Sequence, residues 1–210
     1  MHTLHEWLEL FQHEVSNIDA IQLAVLIFGV TEVLLARANN IWLYPAGIVA
    51  TILAIYSLFH AKLYAECLLH GYYLVMSVYG WWYWTQKRNQ KPVEITFSSR
   101  TDWLTTLSIA FGGSILLFLI LSELTDSEVP AWDAWVSATG WAGMWLLARR
   151  KIENWLLLNI SNAFAIPLLF YKELPLLALL TVFLFVVACV GYVDWLKIAR
   201  RKMSESVIEK

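Results

Sequence analysis

Charge is scarce in this chain. Asp, Glu, Lys and Arg make up 15 % of its 210 residues, 59 % are apolar, and mean hydropathy is +0.57. Soluble domains run near half apolar and about a quarter charged, so too little polar surface remains here to dress a water-facing fold. Cysteine is nearly absent as well. Cys67 and Cys189 lie within apolar stretches without metal-type neighbours, which excludes a disulfide scaffold and leaves both as small packing residues. The histidines are dispersed as His2, His5, His13, His60 and His70, and no HExxH, GxSxG or paired-aspartate arrangement occurs. The expectation is a protein that is not an enzyme, with no cofactor, no metal and no nucleic-acid partner. The segment before Ala20 has neither the basic n-region nor the apolar core of a signal peptide, so no cleavage is expected.

What the chain does have is apolar length. Seven spans, at 20–36, 40–61, 63–84, 103–121, 131–148, 154–171 and 174–195, approach the roughly 20 apolar residues that a bilayer crossing needs. The first and fifth are short and imply little tilt or local thinning of the bilayer. Leu4, Trp7, Leu8, Leu10, Phe11 and Val15 recur at helical spacing and predict a short helix lying on the membrane surface over 1–19. Lys and Arg collect in cytoplasmic loops. Thirteen of the 15 lie in one set of loops (Arg37; Lys87, Arg88, Lys91, Arg100; Arg149, Arg150, Lys151; Lys197, Arg200, Arg201, Lys202, Lys210), whereas the other set holds only Lys62 and Lys172. The N-terminus is therefore expected outside and the C-terminus inside.

The first three spans return in outline as the last three. Leu34-Leu35-Ala36-Arg37, Trp42 and Gly80-x-x-x-Trp84 reappear as Leu146-Leu147-Ala148-Arg149, Trp155 and Gly191-x-x-x-Trp195, in a register that holds apart from one-residue slips in loops. A duplicated three-helix membrane unit is a transporter pattern. An offset of four spans is even, so both units enter the bilayer in the same direction, and the fourth span becomes a connector. It carries no ionisable residue, and Ser108, Gly112 and Gly113 suit close helix packing. The predicted fold is an all-α integral membrane protein with a 3+1+3 order. Its parts are a surface helix over 1–19, repeat 1 over 20–84, a basic loop and connector over 85–124, repeat 2 over 125–196 and a basic tail over 197–210. A retinal protein would need a lysine in the last span; 174–195 has none.

Polar side chains in a bilayer face cavities or neighbouring helices because lipid does not solvate them. On the third span Glu66, His70, Tyr73, Ser77, Gly80 and Trp84 are spaced 4, 3, 4, 3 and 4 apart, a single helix face running the depth of the membrane. The sixth span places Trp155, Asn159 and Asn162 at i, i+4 and i+7, an indole plate with two amides that suits a heteroaromatic ligand with hydroxyl groups. Pro167 follows as a flexing point. The second span contributes Asn40, Trp42, Tyr44, Pro45 and Gly47. Trp7, Trp103, Trp132 and Trp195 read as interfacial belt residues, as do Trp81, Trp82 and Trp84. Glu32 is expected to pair with Arg37 or to snorkel. Asp133 and Asp194 sit near span ends and ask for no special role.

These stretches together resemble the PnuC family of bacterial nicotinamide riboside transporters. The matching residues are Asn39-Asn40-Ile41-Trp42-Leu43-Tyr44-Pro45-Ala46-Gly47, Leu63-Tyr64-Ala65-Glu66, Tyr79-Gly80-Trp81-Trp82, Ile152-Glu153-Asn154-Trp155, Ile166-Pro167-Leu168, Phe170-Tyr171-Lys172 and Gly191-Tyr192-x-x-Trp195. The resemblance implies an architecture similar to SWEET-type transporters and facilitated uptake of nicotinamide riboside. It also implies trapping by a cytoplasmic riboside kinase that feeds NAD synthesis, a home in the bacterial inner membrane, and a trimer. It places substrate between the repeats, against Trp155, Asn162 and the polar face of the third span. Leu158, Tyr44 and His70 depart from the family pattern at positions near that site. Thiamine, carried by other members, therefore stands as the alternative substrate, and a proton-coupled variant through Glu32, Glu66 or His70 stands beside uncoupled passage.

Overall fold

The computed structural model describes residues 4–61, 63–86, 94–125 and 127–208. His2, Lys62, Lys87, Arg88, Lys91 and Lys210, which entered the sequence arguments above, lie outside these residues. The described chain is helical almost throughout: α1 Leu4–Ser16, α2 Ala20–Arg37, α3 Leu43–His60, α4 Tyr64–Gln86, α5 Arg100–Leu107, α6 Gly113–Leu124, α7 Pro130–Ala148, α8 Asn154–Tyr171 and α9 Pro175–Ile208. A π-helical turn, Ser108–Gly112, joins α5 to α6 into one rod. The starts are written in the sequence. Asp19 and Gln22 form a reciprocal capping box on α2, as Ser99 and Asp102 do on α5, and Pro130 opens α7 at a position where no N–H is missed.

Among the described residues, five helices are long and apolar enough to cross a membrane: α2, α3, the α5–α6 rod, α8 and α9. The sequence expected seven crossings. α4 and α7, with 23 and 19 residues, have the length, but their Trp, Tyr, Gly and Ser content dilutes their apolarity. The protein is therefore a multi-pass, all-helical membrane protein. Its exterior is apolar, with Leu68, Val75, Phe111, Ile115 and Leu119 all exposed, as a lipid-facing surface requires.

Packing follows the chain within α2–α3–α4 and within α7–α8–α9, and then closes: α4 meets α7, and α2 meets α9. Six helices thus form a ring. The α5–α6 rod leans on it from outside, mainly against α7. Gly113 sits at that seam, where an added Cβ would lie 3.3 Å from the Cβ of Ala138, whereas Gly112 and Ser108 face away. Of the three small residues expected to pack, one does. The N-terminal segment is helical as α1, which is tied to α9 by the N–H of Leu176 donating to Glu14 Oε2 (2.7 Å) and to α8 by Trp7 standing edge-on to Phe170. The expected basic tail is not a separate segment, because α9 runs unbroken for 34 residues and carries Lys197, Arg200 and Arg201 on its continuation.

Candidate functional site

The two halves of the ring repeat each other at one constant shift, which corrects the drifting register read from the sequence. Tyr44 of α3 lies on Gly80 and stands edge-on to Trp84 (5.1 Å, 90°). Trp155 of α8 lies on Gly191 and stands edge-on to Trp195 (5.7 Å, 89°). The repeat counterpart of Trp155 is therefore Tyr44, not Trp42. The indoles then cross over. Trp84 Nε1 donates to the Ala148 carbonyl of the other half (3.1 Å), and Trp195 Nε1 donates to Ala36 (3.1 Å) and Arg37 (3.3 Å). Asn39 and Arg150, related by the same shift, both hold left-handed φ (53° and 57°), and the Arg150 guanidinium donates to Asn39 Oδ1 at 2.7 and 3.0 Å. Equivalent residues that touch one another mark the axis relating the halves. Trp84 and Trp195, expected in an interfacial belt, are buried at the heart of this clasp; Trp81 and Trp82 remain exposed.

The turn end of the ring is sealed further. Thr96 accepts from Ile152 N and donates its N–H to the Arg150 carbonyl, Ser98 N and Oγ donate to Glu153, and Asp102 takes Lys151 (3.2 Å) and Arg149 (3.5 Å). Ile95 plugs into the same core as Tyr44, Trp84, Trp155 and Trp195. Arg150 also lies 4.0 Å over the Trp84 ring.

Above the clasp the ring is hollow. A cavity of about 290 Å³ is lined by Tyr73 and Ser77 of α4, Trp155, Leu158, Ser161 and Asn162 of α8, Glu32 and Val33 of α2, Thr51 of α3, and Gly140 and Met144 of α7. A second cavity of about 780 Å³ opens toward α1, its wall including His13, Glu14, Gln22, His70 and Leu176. Glu32 and Val33 belong to both, so they stand where the two spaces meet. The small cavity has a polar demand that the fold leaves unmet. Ser77 and Trp155 are each 1 % exposed, and neither Ser77 Oγ nor Trp155 Nε1 has a hydrogen-bond partner among the described residues. A buried polar group without a partner costs free energy, so a ligand that supplies the partner is bound in proportion.

The expected site residues divide by place. Trp155, Asn162, Tyr73 and Ser77 line the small cavity, and His70 lines the large one, its ring edge-on to Tyr73 (5.9 Å). Glu66 lies on α4 and its side chain is outside the described residues. Asn159 turns away: each helical residue advances about 100°, so Asn159 sits about 40° round α8 on the flank opposite to Leu158, Ser161 and Asn162. There its amide donates to Cys189 Sγ (3.3 Å) on α9. Cys189 is exposed rather than packed. Tyr44 lies in the clasp beneath the cavity. Asn40 and Trp42 belong to the α2–α3 turn, where Asn40 Oδ1 accepts from Trp42 N (3.0 Å), and Trp42 is 66 % exposed. Arg37 pairs with Asp194 (2.8 Å), not with Glu32, and Asp133 holds Lys172 (2.6 Å) and Ser127, so both aspartates carry structural contacts. Glu32, Thr51 and Ser161 were missed as cavity residues. Thr51 was within reach, since the shift that takes Gly80 to Gly191 also takes Thr51 to Asn162.

The sequence pattern of the nicotinamide mononucleotide transporter family matches residues 19–197. Proteins named nicotinamide riboside transporter PnuC from Escherichia coli (strain K12) and from Shigella flexneri are each 23 % identical over 207 residues, covering 86 % of this chain and 87 % of theirs. The crystal structure of the vitamin B3 transporter PnuC matches the fold with a TM-score of 0.69 at 22 % identity, over 96 % of this chain and 94 % of that one.

Proposed function

The chain belongs to the nicotinamide mononucleotide transporter family, and from that premise we propose that it carries nicotinamide riboside across a bacterial inner membrane through the cavity between its two halves. The observation that supports this best is the pair of unmet donors, the Ser77 hydroxyl and the Trp155 indole N–H, buried in a cavity shared with Tyr73 and Asn162. The indole face suits a cationic pyridinium ring by cation–π attraction. The Asn162 amide, with both donor and acceptor, suits ribose hydroxyls.

In this reading seven helices cross the bilayer, α2–α4 and α7–α9 as parallel units joined by the α5–α6 rod. α1 lies at the outer surface and the basic turns face the cytoplasm. The large cavity is then an outward vestibule and the crossed indoles are the closed inner gate. Passage follows from the two units rocking about the Asn39–Arg150 axis. No ion gradient is required; a cytoplasmic kinase traps the riboside as its nucleotide, and the carrier works as a trimer. The expected result in purified protein is calorimetric binding of nicotinamide riboside that exceeds that of nicotinamide, uridine and thiamine. Tighter binding of thiamine would reassign the substrate. In kinase-free liposomes the riboside equilibrates at a rate that an imposed pH gradient leaves unchanged; acceleration by an inward proton gradient would mark a coupled carrier instead.

A further inference from the structure

Among the described residues, two carboxylates line the cavities. Glu14 accepts the backbone N–H of Leu176, whereas Glu32 makes no hydrogen bond or ion pair among the described residues. Its expected partner, Arg37, stands about 140° further round α2 by the 100° helical step and is held by Asp194 at 2.8 Å. Arg150, the basic residue of the clasp, is committed to Asn39 and the Trp84 ring. An unpaired carboxylate at membrane depth is expensive, and such groups mark ligand or ion paths.

The fold makes room for this one. A Cβ at Gly47 would collide with the Glu32 carboxylate, so glycine there is what admits the side chain. At the equivalent positions of the other half, Gly143 replaces Glu32 and Leu158 replaces Gly47; there the leucine leans on the glycine, with 2.8 Å between its Cδ2 and an added Cβ. The contact is preserved with the bulky partner exchanged, and the charge exists in one half only. Glu32 lines the same small cavity as the Trp155 indole.

We propose that Glu32 is the counter-ion of the transported molecule, a specificity-determining residue that makes the cavity select cationic heteroaromatic ribosides over neutral molecules of the same shape. The inference rests on the transport reading above, and the test separates the two. Nicotinamide riboside carries a fixed pyridinium charge; its dihydro form has the same ribose and carboxamide but is neutral. In calorimetry on detergent-purified protein, the wild type binds the cation at least about tenfold more tightly than the dihydro form. Glu32→Gln weakens the cation about tenfold, leaves the neutral ligand within about twofold, and so abolishes the preference, while Glu32→Asp retains part of it. The unchanged neutral affinity shows that the variant site is intact. Equal wild-type affinities for the two forms overturn the inference without any variant, as does a Glu32→Gln protein that keeps its preference, and both results leave the transport reading standing. Binding of neither form overturns both.

Discussion

Alanine at Trp155 weakens nicotinamide riboside binding by about 1–3 kcal/mol, at the upper end of that range, which is roughly 30- to 150-fold in Kd. The reason is that Trp155 contributes two things at once. Its indole is 1 % exposed and forms a wall of the small cavity, so truncation removes a rigid apolar face and the cation–π surface. Its Nε1 has no partner among the described residues, so truncation also removes a donor that is left for a ligand to satisfy. Asn162→Ala costs about 1–3 kcal/mol through the amide alone, and Asn159→Ala costs little, because Asn159 is not among the residues lining the small cavity and its Nδ2 donates to Cys189 on α9. Trp155→Phe divides the effect: it keeps a ring and loses the donor. Isothermal calorimetry on each purified variant reads all four. Wild-type affinity in both Trp155→Ala and Asn162→Ala would remove these residues from the site, and a large loss in Asn159→Ala would mean that α8 is rotated about its axis.

Gly191→Ala destabilises the protein by about 1–3 kcal/mol and lowers its melting temperature in detergent by several degrees. The added Cβ would stand 2.8 Å from two atoms of the Trp155 indole, closer than carbon atoms approach without something shifting. The indole is also held one turn further along α9, where it stands edge-on to Trp195, whose own N–H is tied to the carbonyls of Ala36 and Arg37. Gly80→Ala meets the same obstruction from Tyr44. Gly71→Ala is the control, since nothing lies within 4 Å of a Cβ there. Thermal unfolding followed by size-exclusion recovery distinguishes them. A Gly191→Ala protein melting with the wild type would mean that the clasp is looser than its geometry. Because Trp155 also walls the cavity, Gly191→Ala should weaken riboside binding along with stability, whereas Gly71→Ala changes neither.

These two positions show why the repeat was legible and its register was not. Gly80-x-x-x-Trp84 and Gly191-x-x-x-Trp195 are identical in spacing because each glycine seats an aromatic ring and each tryptophan reaches across the axis one turn later. Matching like with like then pairs Trp42 with Trp155 and leaves Tyr44 without a role. The physical equivalence is of position, not of residue type: Tyr44 and Trp155 are both flat rings on a glycine. Trp42, which shares the residue type, is the exposed N-cap of α3.

The candidate site divided on the same principle. The α4 stripe of His70, Tyr73, Ser77, Gly80 and Trp84 runs from the large cavity past the small one to the clasp, because i, i+3 and i+4 spacing is a property of one helix and needs no neighbour to define it. Asn159 and Asn162 satisfy the same spacing rule equally well with Trp155. Which of the two amides faces the cavity depends on where α9 packs, and no periodicity within α8 carries that information.

From its own composition and order the chain determined that it is a helical, multi-pass membrane protein with a duplicated unit, since apolar length, charge bias and motif spacing are local properties written along one dimension. The helix faces that carry polar groups were determined in the same way. The tertiary structure alone decided which of those groups meet. It closed α2 against α9 and α4 against α7, turned two belt-like tryptophans into a buried crossing, gave Arg37 to Asp194, and left Glu32 without a partner among the described residues in a cavity it shares with an indole. Each of these contacts joins residues from different helices far apart in the chain, and the packing of six helices round a common cavity chooses among partners that the sequence presents as equals.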